Sequence, residues 1–293
     1  MKKIGMIGIG MMGHGIASNL LKHGHGLTLL EHPGNQPLDA LLAAGAHTSR
    51  SAKALASQAD VVILCVTGSA QVEAVLTGED GVLQGMKPGT IIIDCSTAIP
   101  TSTEMLAQLV IAHGGQFLDS PMTRTPKEAA EGRLNLLVGG DQQLFEACKP
   151  LLSCFAENIV HAGPVGAGHR MKLLHNYVSL GMVTLLAEAA ACAKRSHVDP
   201  KTFVDVLAMG GGWGAALERL KPFVLDGDNS GLRFSMANAL KDLSYYNTMA
   251  EDTHADHTIA AAVKRTLELA CQEVDPHTLL PEIVTVIAKR HAP

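Results

Sequence analysis

Gly8-Ile9-Gly10-Met11-Met12-Gly13 stands directly after a short apolar run, Lys3 to Ile7, and opens a stretch with helical spacing, Met11 to Lys22. Strand, glycine loop and helix in that order constrain the fold more than any other feature of the chain. Glycines at these spacings allow a tight turn and close helix–strand packing. They also let backbone N–H groups, those of Met11 and Met12 among them, approach a pyrophosphate at the helix N-terminus. A second strand, Leu27 to Glu31, ends on a carboxylate 18 residues after Gly13. An acid at that place accepts hydrogen bonds from the hydroxyls of an adenosine ribose. A plain structural loop has no use for it.

The motif therefore predicts a dinucleotide site built from Gly8, Gly10, Met11, Met12, Gly13 and Glu31. The carboxylate would repel a 2′-phosphate, and neither His32 nor Pro33 carries a fixed positive charge, so NAD is expected in preference to NADP. Further strands are expected at Val61 to Val66, Thr90 to Asp94, Gln116 to Asp119, Leu136 to Val138 and Asn158 to His161. Helices are expected between them at Ala70 to Leu76, Thr101 to His113 and Gln142 to Leu152. Continuous runs such as Val61-Val62-Ile63-Leu64 suit strands buried on both faces, which means a parallel sheet covered by helices. Ligands in such sheets lie beyond the carboxyl ends of the strands. Those ends read Cys65-Val66-Thr67-Gly68, Asp94-Cys95-Ser96-Thr97 and Asp119-Ser120-Pro121-Met122-Thr123-Arg124-Thr125. Val66, Thr67 and Thr97 are candidate cofactor contacts. Ser96 and Thr97 serve equally well as helix caps ahead of Pro100.

The stretch from Gly163 to His197 predicts a long helix. From His169 its apolar residues follow no strict alternation and suit a helix buried on most of its circumference. Lys172 and Asn176 share one face, four residues apart, with His175 and Ser179 alongside. A lysine there either snorkels to water or has a polar destination, because an unpaired buried ammonium is costly. Beyond His197 the pattern loses its strands. Helices are expected at Pro200 to Ala208, Met236 to Glu251, His257 to Cys271 and Pro281 to His291, interrupted by Gly210-Gly211-Gly212-Trp213-Gly214. The fold class is thus an α/β Rossmann domain with a mostly parallel doubly wound sheet, residues 1–162. An all-α domain, residues 163–293, follows and begins with the long interdomain helix.

Composition bounds the partners. A net charge of −5 with no local basic cluster argues against nucleic acid. No apolar run is expected to span a membrane. The six cysteines have no metal spacing and read as reduced, mostly buried thiols of a cytoplasmic protein without a bound metal. Met1-Lys2-Lys3 leads straight into the first strand, so no signal peptide is expected.

These pieces together resemble the β-hydroxyacid dehydrogenases, the group of 3-hydroxyisobutyrate dehydrogenases and tartronate semialdehyde reductases, over essentially the whole chain. The glycine loop resembles that family's nucleotide loop, and Asp94-Cys95-Ser96-Thr97 its Asp-x-Ser-Thr segment. Gly168 to Asn176 is similar to its Gly-x-x-x-Lys-x-x-x-Asn signature, and Lys241-Asp242-Leu243 after Phe234 to its late Lys-Asp-Leu. The resemblance implies that Lys172 is the general acid or base and that Asn176 hydrogen-bonds the substrate and holds the orientation of the lysine. It implies Thr97 and Lys241 at the nicotinamide, Phe234 as a pocket-wall residue contacting the cofactor, and a homodimer or homotetramer. His175, Ser179, Trp213, Thr123, Arg124 and Thr125 become candidate substrate contacts, Trp213 and Phe234 being as readily core or interface residues.

One departure bears on substrate. Most of the family has Ser-Gly-Gly where this chain has Thr123-Arg124-Thr125. A guanidinium there offers a five-donor fork to an anion. In this loop the chain is similar to sulfolactaldehyde reductases, although His175 stands where that branch has asparagine and Thr123 where it has glycine. The expected reaction is hydride transfer between a nicotinamide and a compact three- or four-carbon anion, with sulfolactaldehyde favoured. The alternatives are 3-hydroxyisobutyrate, tartronate semialdehyde or succinic semialdehyde, a non-catalytic NAD-binding sensor, or an imine reductase.

Overall fold

The computed structural model describes residues 2–290, and the last residue of the helix expected to reach His291 lies outside them. The chain divides into two compact units, residues 1–172 and 173–293.

The first unit alternates strands and helices: β1 (Lys3–Ile7), α1 (Met11–Lys22), β2 (Gly26–Leu30), α2 (Asp39–Ala43), β3 (His47–Ser49), α3 (Ala52–Gln58), β4 (Val61–Leu64) and α4 (Ser69–Thr77). It continues with β5 (Ile91–Asp94), α5 (Pro100–Ala112), β6 (Gln116–Asp119), β7 (Met122–Thr123), α6 (Pro126–Ala130), β8 (Leu134–Gly139), α7 (Gln142–Leu152) and β9 (Ala156–Gly163). The strands form one sheet in the order β3-β2-β1-β4-β5-β6-β8-β7, with β9 also on β8. The first six run parallel. Strand β8 runs antiparallel to β6 and β7, and β9 parallel to β8.

Alternating side chains explain the layers. Val61 and Ile63 of β4 join a core on one face with α1 and α7, while Val62 and Leu64 join a second core on the other face with α3, α4 and α5. A strand feeding both cores has no polar face, hence the unbroken Val/Ile/Leu runs. The order β3-β2-β1-β4-β5-β6 reverses direction between β1 and β4, the switch point beyond which such sheets bind ligands.

The second unit is helical. Helix α8 (Ala167–Arg195) straddles the division, followed by α9 (Pro200–Ala208), α10 (Ala215–Asp226), α11 (Met236–Asp252), α12 (Thr258–Cys271) and α13 (Ile283–Lys289). Leu180, Val183, Ala187, Leu217, Leu243 and Leu267 belong to its main core. Compactness changes hands at Lys172, ten residues later than the expected boundary, because the first turn of α8 is held by groups of the sheet.

Three expectations need correction. Helix α8 is not buried over most of its circumference, since Met171, Leu174, Val178, Met182 and Leu185 remain exposed. Among the described helices it is long and apolar enough to cross a membrane by length and composition; His175, Asn176, Ser179 and Thr184 interrupt its uncharged middle, so no contiguous apolar run revealed this. Cys192 is exposed rather than buried, although all six cysteines are free.

Candidate functional site

The glycine loop is shaped by close backbone approach. Gly8 has φ +93°, and a Cβ there would lie 2.3 Å from the Cys65 carbonyl oxygen. A Cβ on Gly13 would lie 2.0 Å from the carbonyl oxygen of Gly8. Neither residue can be other than glycine without moving backbone. Gly10, by contrast, faces open space. It is the N-cap of α1, with no side-chain cap and no acid in the first turn. Helix N–H groups without a side-chain acceptor, beside an open backbone, fit the pyrophosphate of a dinucleotide. Met11 leads that turn at 65% exposure, with Met12 half-buried behind it.

Glu31 follows the last residue of β2 and borders a cavity of about 520 Å³, whose lining includes His32, Asn35, Gln36 and Arg50. Arg50 Nε donates to Glu31 Oε2 at 2.9 Å. Hydrogen bonds from Thr48 and then Arg50 hold the Glu31 carboxyl below the usual range. Arg50 is the fixed positive charge that His32 and Pro33 do not supply. The parallel pairing of β2 with β3 brings it to Glu31, which no local spacing reveals.

At the strand ends the Val66 N–H donates to Ser96 Oγ at 3.0 Å, and the Ser96 N–H to Asp94 Oδ1 at 2.9 Å. Ser96 is therefore not a helix cap; the N-cap of α5 is Ile99. Thr67 is exposed beside Val66, and Thr97 is half-buried beyond β5. Desolvation and then the Asp94 carboxylate push the neighbouring Cys65 thiol up to about 12, which removes it as a nucleophile.

Below these ends lies a buried cluster that the sequence reading did not place in the site: Asp94, Asp119, Thr103 and His169. Asp119 ends β6, and its two oxygens accept from the Gly166 and His169 N–H groups, each at 2.8 Å. A carboxylate from the sheet thus caps the first turn of α8. His169 Nδ1 lies 2.8 Å from Thr103 Oγ1, and its Nε2 lies 3.1 Å from the Ser96 carbonyl oxygen. Asp94 Oδ2 and Asp119 Oδ2 are 4.0 and 3.9 Å from the ring. Desolvation holds the Asp94 carboxyl above its ordinary value, with His169 opposing. Lys172, half-buried, follows one turn after His169.

The next turn of α8 opens a second polar group. Asn176 Nδ2 donates to Asp242 Oδ2 at 2.6 Å, and His175 Nδ1 lies 3.0 Å from Asn176 Oδ1. Lys241 Nζ pairs with Asp242 Oδ1 at 3.1 Å and lies 5.4 Å from the centre of the Tyr245 ring. Asp242 is only 3% exposed, so it serves as the hub joining Asn176 to Lys241. Ser179 is half-buried. Phe234 packs against the core of the second unit, and Trp213 stands 68% exposed in its glycine loop.

The predicted anion loop is engaged within itself. Arg124 adopts φ +81°, a left-handed conformation that favours glycine. Its guanidinium donates to the Glu157 carboxylate and to the Arg133 carbonyl oxygen, and this pairing, the hydrogen bond first, holds the Glu157 carboxyl below the usual range. Thr125 forms a capping box with Glu128 at the start of α6, and Thr123 Oγ1 accepts from Asn135 at 3.0 Å. The fork expected to stand open to substrate already holds an acid. Among the described residues no group of three or more His, Cys, Asp or Glu is placed to hold a metal ion.

Comparison with known proteins agrees with both units. Residues 3–163 match the family described as the NAD binding domain of 6-phosphogluconate dehydrogenase. Residues 166–287 match the one described as NAD-binding of NADP-dependent 3-hydroxyisobutyrate dehydrogenase. The chain is 36% identical over 223 residues to an NAD-dependent L-serine dehydrogenase of Pseudomonas aeruginosa, covering 76% of this chain and 74% of that one. It is 30% identical over 269 residues to the cytokine-like nuclear factor N-PAC of Xenopus tropicalis, covering 92% of this chain and 50% of that protein. The chain thus spans half the length of that relative. A Mycobacterium tuberculosis 3-hydroxyisobutyrate dehydrogenase structure with L-serine superposes with a TM-score of 0.86 at 27% identity, over 100% of both chains.

Proposed function

Because the chain belongs to the β-hydroxyacid dehydrogenase family, we propose that it interconverts a compact β-hydroxy anion and its semialdehyde, using NAD in preference to NADP. The observation that carries this reading is Lys172 and Asn176 on successive turns of α8, with Asn176 tied through buried Asp242 to Lys241. An ammonium with three rotatable donors suits an oxygen that gains charge as a carbonyl is reduced. Asn176, with one of its two amide protons given to Asp242, keeps its carbonyl side toward His175. That fixes how it presents itself to a substrate hydroxyl. Lys172 would give a proton to the carbonyl oxygen in reduction, or take one from the hydroxyl in oxidation.

The glycine loop, the first turn of α1, Glu31, Val66, Thr67 and Thr97 would hold the dinucleotide, and the family resemblance adds Phe234 and Lys241 to the residues expected to contact it. When bound it supplies or accepts the hydride. The open backbone at Gly10 and the cavity at Glu31 fit such a group. Glu31 favours NAD, its carboxylate accepting from ribose hydroxyls. The paired Lys172 and Asn176 favour an enzyme over a sensor. Six free cysteines suit a reducing compartment such as the cytoplasm, and we infer a homodimer or homotetramer.

For the substrate anion, an arginine in the loop favours sulfolactaldehyde or a similarly compact three- or four-carbon anion, with Thr123, Arg124, Thr125, His175, Ser179 and Trp213 as candidate contacts. The hold of Glu157 on Arg124 favours a second reading. A half-neutralised fork suits a carboxylate such as L-serine or 3-hydroxyisobutyrate, in keeping with the L-serine dehydrogenase relative. NADH consumption with sulfolactaldehyde, tartronate, methylmalonate and succinic semialdehydes, and NAD reduction with L-serine, separate the two. Under the first reading sulfolactaldehyde has the highest kcat/KM and Arg124→Gly raises its KM at least tenfold. Silence with every compound would overturn the enzymatic reading.

A further inference from the structure

Three elements of the first unit converge on one residue. The His169 main chain is held by β6, its N–H donating to Asp119 Oδ2 at 2.8 Å. Its fully buried ring is held by two others. Nδ1 lies 2.8 Å from Thr103 Oγ1 on α5, and Nε2 lies 3.1 Å from the carbonyl oxygen of Ser96, just beyond β5. These partners are 50, 66 and 73 positions away in the chain. A carbonyl oxygen only accepts, so Nε2 carries a proton and donates it. The oxygen needs that donor, because Ser96 is buried and a buried carbonyl left unpaired is costly.

Both ends of the Nε2 bond lead toward the chemistry. The oxygen it holds belongs to the peptide group that Ser96 shares with Thr97. A peptide group is planar, so fixing its oxygen fixes the Thr97 amide as well. The rest of Ser96 is also engaged: its N–H donates to Asp94 Oδ1 at 2.9 Å, and its Oγ accepts from the Val66 N–H at 3.0 Å. The ends of β4 and β5, with Val66 and Thr97, are thereby tied to Ser96. At the other end of the bond, His169 stands one helical turn before Lys172, a rise of about 4.5 Å along α8. Packing alone does not call for an imidazole there. Asp94 and Asp119 approach the ring at 4.0 and 3.9 Å, and an apolar side chain of the same bulk would leave the Ser96 oxygen unpaired beside them.

We propose that His169 is a positioning residue for the reaction. Its Nε2–H bond to Ser96 fastens the loop that carries Thr97 to the turn of α8 that carries Lys172, and so keeps the hydride end and the proton end of the site in register. The Thr103 contact steadies the ring without reaching either end. The proposal rests on the reading of Lys172 and Thr97 given above and adds a residue to it. Side-chain length separates the two ring contacts. Glutamine and asparagine each offer an amide donor, the first reaching about as far from Cα as Nε2 and the second about as far as Nδ1.

The test compares His169→Gln with His169→Asn in the full chain. Kinetics use the compound named above that the native chain turns over fastest, well below the thermal transition of either variant. Each variant gives up one ring contact, so the two transitions should fall by similar amounts. His169→Asn, which loses the Ser96 bond, should lower kcat on the order of a hundredfold and leave KM for NADH within about threefold. His169→Gln, which keeps that bond, should bring kcat back to within about fivefold of the native value. Should His169→Asn not fold, His169→Met, of similar reach and without a donor, takes its place. A His169→Gln that fails to fold, or is no faster than the variant lacking the bond, overturns the positioning role and leaves the enzymatic reading intact. So does a loss confined to KM, or a kcat that falls in step with stability. A native chain silent with every compound overturns both.

Discussion

Replacing Asp119 tests how the sheet positions α8. Its carboxylate is fully buried and accepts two backbone N–H groups, those of Gly166 and His169, at 2.8 Å. In Asp119→Ala both donors lose their acceptor inside the protein. Each unsatisfied buried donor costs about 1–3 kcal/mol, and loss of the negative charge at a helix N-terminus adds up to ~2 kcal/mol. A destabilisation of about 2–8 kcal/mol of the first unit follows from these terms. At roughly 2–4 °C per kcal/mol for a unit of this size, its transition should fall by at least ~4 °C. Asp119→Asn keeps one acceptor and turns its amide toward the other donor, so it should recover no more than about half of the loss. Lys172 rides on the same first turns. A loosened helix start misplaces its ammonium, and an error of about 1 Å is enough to cost on the order of a hundredfold in rate. Scanning calorimetry reads the first effect, and kcat measured well below the transition reads the second. A shift under about 2 °C for Asp119→Ala would refute the cap, and full stability loss with unchanged kcat would refute the link from cap to lysine.

Lys172→Ala should lower kcat by about 10²- to 10⁴-fold while NADH still quenches or enhances protein fluorescence with nearly unchanged affinity; a variant that turns over normally would remove Lys172 from the chemistry. Glu31→Ser should release Arg50 from its 2.9 Å pairing to meet a 2′-phosphate, raising the NADPH-to-NADH ratio of kcat/KM by about 10- to 100-fold. Adding Arg50→Ala should abolish that gain, and a gain that survives would show that the arginine plays no part. Asp94 supplies a pH test. Burial raises its folded-state pKa above 3.8, so the stability that comes with its proton is present at low pH and is lost as pH rises through the raised value. Asp94→Asn cannot lose that proton. Its stability relative to the native chain, followed by urea titration, should therefore climb with pH from about 4 upward before levelling off. A difference that stays flat across that range would show that Asp94 is not held protonated by its surroundings.

Features legible in the sequence are those whose cause is local. The glycine loop, α1 and the buried runs of β4 and β5 declare themselves because a tight turn and two-sided burial each demand particular residues in consecutive positions. Strand β8 was expected only at Leu136 to Val138 but spans Leu134–Gly139; it turns antiparallel at the sheet edge, and its alternating burial breaks the apolar run. Strand β3, His47–Ser49, has no buried residue to announce it. Helix α10 carries Pro222 in its interior, which argues against a helix in any local reading. The site divides the same way. Lys172, Asn176 and Lys241 were recognisable by motif, whereas Arg50 on Glu31, Glu157 on Arg124 and Asp119 beneath α8 join residues 19, 33 and 47 positions apart. Only the sheet's register brings those pairs together.

Helix α8 shows why apolar content alone misleads. Its Met, Leu and Val residues surround the axis, which predicts burial all round, yet the chain's own core covers one face only. The hydrophobic effect states that a surface avoids water and is silent on what covers it. What separates the two faces is arrangement. Buried Leu173, Leu180 and Ala187 are interleaved with Asn176, Thr184 and His169, polar groups that find partners within the fold. The exposed side chains Met171, Leu174, Val178, Met182 and Leu185 include none. Apolar content is common to both faces of the helix that carries Lys172, and the polar groups paired within the fold mark the face that the core covers.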